Sequence, residues 1–226
     1  MELVLRTWAI LWKDLLIEAR TKGSFNAMAF FAALVLFIFA FAIGPDPALL
    51  RQLAGGLLWV GITFTGVLSL SRTFHSEELS GGLEGLELYP GELRAIYLGK
   101  LLGNVILLLL VEAILFPTAA VLFHVDLTAR PLALAGVAFL GTLGFSIIGT
   151  FYAGLTLHLR ARELMLPLLL LPLLVPVLLG AVSATTALLG GGPATGGVGG
   201  WIRLLVAFDV IYFVVCTWVF PTVLER

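Results

Sequence analysis

Charge is what this chain has least of. Only 12% of its 226 residues are Asp, Glu, Lys or Arg, against a hydrophobic share of 60% and a mean hydropathy of +1.10. A soluble domain carries about 25% charged residues to cover its surface, so a water-soluble globule is excluded and membrane embedding is required. The net charge of −1 leaves no basic surface for nucleic acid, and none of the usual nucleic-acid motifs is present. A single cysteine, Cys216, excludes an internal disulfide, and its apolar setting marks a core thiol rather than a reactive one. His75, His124 and His158 fall in three different loops, so they make no metal cluster. No HExxH or Ser–His–Asp arrangement can be traced. No phosphate-binding loop exists either: Lys100 follows Gly99, but position 94 is Arg and Leu101 stands where Ser or Thr is needed. An enzyme reading is poor.

Long hydrophobic runs are what the chain does have. A window of about 19 residues finds six candidate spans, at 23–43, 53–70, 101–123, 132–157, 164–188 and 202–223. Each is near the ~20 residues a helix needs to cross the hydrocarbon core. Arg6, Lys13, Arg20, Lys22, Arg72, Arg94, Lys100, Arg160, Arg162 and Arg226 fall on one side of this arrangement, and only Arg51, Arg130 and Arg203 on the other. That ten-to-three split predicts both termini in the cytoplasm. Residues 1–20 are not expected to be a cleaved signal, because charges run throughout and no short apolar core precedes a small-residue site. Leu5, Trp8, Leu11, Trp12, Leu15 and Ala19 instead share a helical face, which predicts an interfacial helix over 1–21 with its tryptophans at headgroup level.

Within the spans, Glu112 is the costly residue. An ionised carboxylate there costs about 3 kcal/mol or more, so it is protonated, paired, or facing protein or water. A substrate-path or subunit contact and a protonated carboxyl bonded to a neighbouring helix both stay open. Asp209 is expected nearer the outer interface, within reach of water. Gly136, Gly141, Gly144, Ser146, Gly149 and Gly154 in the fourth span invite close helix approach, and Gly99 with Gly103 forms a GxxxG. Pro167, Pro172 and Pro176 are expected to bend or break the fifth span. Residues 190–200, almost all Gly, Pro, Ala and Thr, are expected to form an outer loop.

Between the second and third spans lies an amphipathic segment, 76–89. Leu79, Leu83 and Leu86 recur at i, i+4 and i+7 with Glu77, Glu84 and Glu87 off that face, and Pro90-Gly91 ends it. The pattern Glu78, Gly82, Leu83, Glu84, Leu86, Pro90 and then Gly99-Lys100 resembles the motif of ABC-2-type permeases. Here Gly82-Leu83-Glu84 is contiguous, where that family usually has Ser or Thr between Gly and Leu, unless Gly81 is the equivalent glycine. Within those permeases the chain is most similar to the CcmB family. Lys13-Asp14-Leu15 with Glu18 and Arg20, Phe30-Phe31, Gly44-Pro45, Leu57-Leu58-Trp59-Val60, Leu68-Ser69-Leu70, Arg72-Thr73-Phe74, Leu83-Glu84, and Leu166-Pro167-Leu168 to Leu171-Pro172-Leu173 carry the likeness, in order from Lys13 to Gly180.

The resemblance implies an all-α integral membrane protein of six transmembrane helices, with the interfacial helix and a cytoplasmic coupling helix at 76–89, in one ABC-2-type domain over 1–226. It implies a permease of the bacterial inner membrane that serves haem export, or release of a haem chaperone, in c-type cytochrome biogenesis. ATP would be bound by a separate CcmA-like subunit, with CcmC-like and CcmD-like subunits and a second copy of the chain as further partners. Glu78, Leu79, Gly82, Leu83, Glu84, Leu86 and Pro90 would couple to the ATPase. Haem would be cargo rather than cofactor, and His124 is the one histidine on the outer side that could meet it. An ABC-2 permease for a lipid-linked glycan or drug, and a membrane assembly scaffold that transports nothing, are the alternatives.

Overall fold

A computed structural model describes residues 2–21, 23–74, 93–157, 162–190 and 197–224. Among them are seven α-helices and no strand: α1 Glu2–Thr21, α2 Gly23–Ile43, α3 Pro47–Arg72, α4 Arg94–Phe123, α5 Pro131–Leu155, α6 Arg162–Leu188 and α7 Gly197–Leu224. The last six are each long and apolar enough to cross a membrane. They extend past several of the hydropathy windows because helical hydrogen bonding continues into polar end turns such as Arg51-Gln52 and Arg94. Asp46 caps α3: its Oδ1 accepts from the backbone N–H of Ala48 at 3.0 Å and Leu49 at 3.2 Å, with Pro47 in the first turn. Gly44, at φ +80°, makes the tight exit from α2.

α5 is the hub, packed against α3, α4, α6 and α7. Its small residues are the reason. A Cβ on Gly141 would collide with the Trp59 indole, on Gly149 with Leu70, and on Gly154 with Phe220. Gly144 meets Asp209 and Val177, whereas Gly136 faces open space. Small residues thus supply close approach where dispersion and shape, rather than water release, hold helices together.

The prolines of α6 do not break it; the helix is continuous from Arg162 to Leu188. Leu166, Leu170, Leu174, Val177, Ala181, Ala184 and Leu188 line its buried face, while Pro172 and Pro176 are exposed. The backbone groups they disturb lie on the outward side, so the packed stripe is spared. Residues 191–196 of the expected outer loop lie outside the described residues, but Gly197–Gly200 already belong to α7, entered through Gly197 at φ +70°.

α1 lies across α4. Thr7 and Leu11 are buried there, and a Cβ on Gly99 would come within 2.8 Å of Ile10 Cβ. The Gly99–Gly103 pair is therefore the seat of α1. Of the residues expected to share one helical face, Leu11 is buried against Gly103 while Leu5, Trp8 and Trp12 are exposed, so the face is split between α4 and the surroundings. Trp8 and Trp12 stay exposed, at 60% and 52%, and stack at 6.4 Å between centroids.

Candidate functional site

The polar residues of an apolar bundle mark where it does something other than pack. They gather first where α1 meets the N-terminal end of α4. Lys100, only 3% exposed, places Nζ 2.9 Å from Asp14 Oδ2 and 5.4 Å from the centroid of the Phe74 ring. Asp14 Oδ1 is also 3.2 Å from Lys13 Nζ. One turn further along α1, Glu18 Oε1 accepts the backbone N–H of Phe25 at 2.7 Å, satisfying a donor in the first turn of α2. Asp14 and Glu18 of the sequence motif are thus the fasteners that join α1 to α4 and to α2, and Lys13 pairs with Asp14 on α1 itself.

Asn104, one turn beyond Lys100, ties three helices together. Its Oδ1 accepts from Ser69 Oγ of α3 at 3.3 Å and from Oγ1 of Thr73, the residue capping α3, at 3.2 Å, and its Nδ2 donates to Thr150 Oγ1 at 3.0 Å on α5. Nearby, Tyr97 donates its hydroxyl to the Ile147 carbonyl at 3.0 Å and packs on Phe220 at 5.0 Å between ring centroids. Two turns beyond Asn104, Glu112 is 3% exposed. Thr142 Oγ1 donates to its Oε1, while its Oε2 has no hydrogen-bond partner. On α3, Trp59 donates Nε1 to Thr185 Oγ1 of α6 at 3.0 Å.

Of the sequence-predicted site residues, Glu112 is in the bundle interior. His124 is exposed and ends α4 in the left-handed conformation, at φ 53°; its carbonyl, not its ring, is engaged, accepting from Arg51 Nε at 2.9 Å. Just beyond it, Asp126 Oδ1 accepts from the backbone N–H and hydroxyl of Thr128, which hold its carboxyl below the usual range. Glu78, Leu79, Gly82, Leu83, Glu84, Leu86 and Pro90, and His75 and His158, lie outside the described residues. Among the described residues no three His, Cys, Asp or Glu side chains group as metal ligands would.

Asp209 corrects an expectation. It is 4% exposed, not open to interfacial water, and both carboxyl oxygens are without hydrogen-bond partners, one of them against Gly144. The missing side chain at Gly144 lets α7 sit close enough to α5 to enclose it. Asn104, Thr142 and Thr150 were not singled out from sequence, although Asn104 with Glu112, and Thr142, Ser146 and Thr150, fall at multiples of four residues on single helix faces.

An all-α, multi-pass integral membrane protein with a docked N-terminal helix and an interhelical polar file is the class these features define. The family model "CcmB protein" matches residues 5–226. The chain belongs to the CcmB family, and the match runs well past Gly180, where the recognisable motifs end. It is 36% identical over 171 residues to "Heme exporter protein B" of Rhodobacter capsulatus, covering 76% of this chain and 78% of that one. The protein of that name from Paracoccus denitrificans is 34% identical over 188 residues, covering 83% and 86%. That from Haemophilus influenzae is 34% identical over 178 residues, covering 79% and 80%.

Proposed function

We propose that this chain is the permease subunit of a haem exporter serving c-type cytochrome biogenesis, set in the bacterial inner membrane with both termini cytoplasmic. The observation that carries this reading is the family match over residues 5–226, to relatives named for haem export. It works as part of an ABC-type complex. A CcmA-like subunit binds and hydrolyses ATP, and CcmC-like and CcmD-like subunits and a second copy complete the assembly. Segment 76–89 is the coupling helix, and Glu78, Leu79, Gly82, Leu83, Glu84, Leu86 and Pro90 form its docking face.

The geometry around that segment suits the role. α3 ends at Arg72 and α4 begins at Arg94, so a push on the residues between enters at these two helix ends. There Ser69, Thr73, Asn104 and Thr150 bind α3, α4 and α5 to one another, and Asp14–Lys100 adds α1. Displacement of the segment is passed to four helices together rather than absorbed by one.

Leu83→Asp places a charge in the apolar docking stripe. The expected result is loss of ATPase co-purification and of c-type cytochromes, with the spans still inserted. Wild-type ATPase binding in that variant would remove the coupling assignment. Normal c-type cytochromes in a strain lacking the chain would favour another cargo.

A further inference from the structure

Glu112 is not an isolated intramembrane carboxyl. Along α5, Thr142, Ser146 and Thr150 occupy one stripe at i, i+4 and i+8, and its two ends face α4 at Glu112 and Asn104. The antiparallel register sets Ser146 between these bonded pairs, opposite Leu108. Ser146 is fully buried, yet its Oγ has no hydrogen-bond partner, and neither does Glu112 Oε2. Thr142 and Ser146 are one turn apart, about 6 Å of helix rise, a gap too wide for a direct hydrogen bond that a proton crosses by way of water. Buried polar atoms left unpartnered in this way are where ordered water is held. Past Asn104 the file continues through Ser69 and Thr73 to the end of α3, beside Lys100. The outer third of α4, by contrast, offers Leu115, Ala119 and Phe123, all buried and apolar.

We propose that the α3–α4–α5 seam is a proton path, with Glu112 as its proton-binding site, open to the cytoplasmic end and closed to the outer one. A proton arrives from cytoplasmic water at Thr73 and is carried by water past Asn104, whose amide does not relay it but holds Ser69, Thr73 and Thr150 in line. It passes along the hydroxyls of Thr150, Ser146 and Thr142 with intervening water, and adds to the Glu112 carboxylate; release retraces the route. This holds whatever the cargo.

The charged surroundings leave Glu112 as the acceptor. α2 and α5 carry no Asp, Glu, Lys or Arg. On α3, Arg51 and Arg72 sit near opposite ends. Asp14 of α1 is engaged with Lys100, three turns from Glu112. On α7, Asp209 lies against Gly144, a different face of α5 from Thr142, and Arg203 is in the second turn. Tyr97, Tyr152, Tyr212 and Cys216 form a separate group near the N-terminal end of α4, about four turns from Glu112.

Infrared difference spectroscopy on the full chain in its lipid-reconstituted complex tests the proposal. A carboxylic C=O band is expected that vanishes in Glu112→Gln, persists in Asp209→Asn and weakens as pH rises. After a pH jump the band should respond more slowly in Asn104→Leu and in Ser146→Ala. Should Asn104→Leu fail to fold, Ser146→Ala decides, since it deletes only an unpartnered hydroxyl. A Glu112 band that is absent at every pH, or constant across pH, overturns the proposal. So does an unaltered response in Ser146→Ala.

Discussion

Lys100 Nζ lies 2.9 Å from Asp14 Oδ2, an ion pair that fastens the N-terminal helix to the start of α4 across 86 residues of sequence. It sits directly after Gly99, whose missing Cβ lets Ile10 come close. Steric fit and charge pairing therefore act at adjacent residues of α4.

Removing one member of a buried pair costs about 3–5 kcal/mol. Asp14 keeps 20% of its side chain exposed, so the loss here should fall towards or below the lower bound. Asp14→Asn is expected to lower the thermal unfolding temperature in detergent and to speed proteolysis of residues 2–21. Asp14→Leu with Lys100→Met should recover part of the loss. Wild-type protease resistance in Asp14→Asn would show that the glycine seat alone holds α1.

The Thr142–Glu112 hydrogen bond joins α4 to α5 deep in the bundle. Glu112→Leu leaves the Thr142 hydroxyl without that acceptor, at a cost of about 1–3 kcal/mol. Glu112→Gln, which can still accept, should be milder. In a double-mutant cycle with Thr142→Val, the second substitution should cost little once Glu112 is Leu. Additive losses in assembled complex would mean that the two residues act independently.

Glycine substitutions separate packing from composition. Gly141→Ala drives a methyl into the Trp59 indole, and Trp59 is held by Thr185, so it has little room to yield. A loss of about 1–3 kcal/mol is expected from such overpacking. Gly136→Ala, five residues away and facing open space, should be neutral or slightly stabilising. Equal effects at the two positions, read as thermal stability in detergent, would contradict the close-approach account.

Six spans were legible because each must be long and apolar on its own account: no water in the hydrocarbon satisfies backbone groups, so every crossing segment is a helix. The same logic made Glu112 conspicuous, since a carboxyl stands out against leucines. The prolines of α6 left open whether that span bends or breaks, because a sequence shows that a backbone donor is missing but not which side of the helix it disturbs; the helix is unbroken. Asp209 misled because depth along a span does not tell burial between spans. The close approaches at Gly141, Gly149 and Gly154 were foreseeable as small residues, yet the large partners Trp59, Leu70 and Phe220 were not.

Hydropathy, loop charge and the ordered motifs by themselves determined that the chain is a six-span membrane protein of its family, since these follow from local transfer energies and short patterns. Which polar groups meet was decided only by tertiary structure. Asp14 finds Lys100, Asn104 gathers Ser69, Thr73 and Thr150, and Thr142 reaches Glu112 because helix registers and close approaches bring distant residues together. Those pairings depend on contacts 30 to 86 residues apart, and no single-helix pattern encodes a partner on another helix.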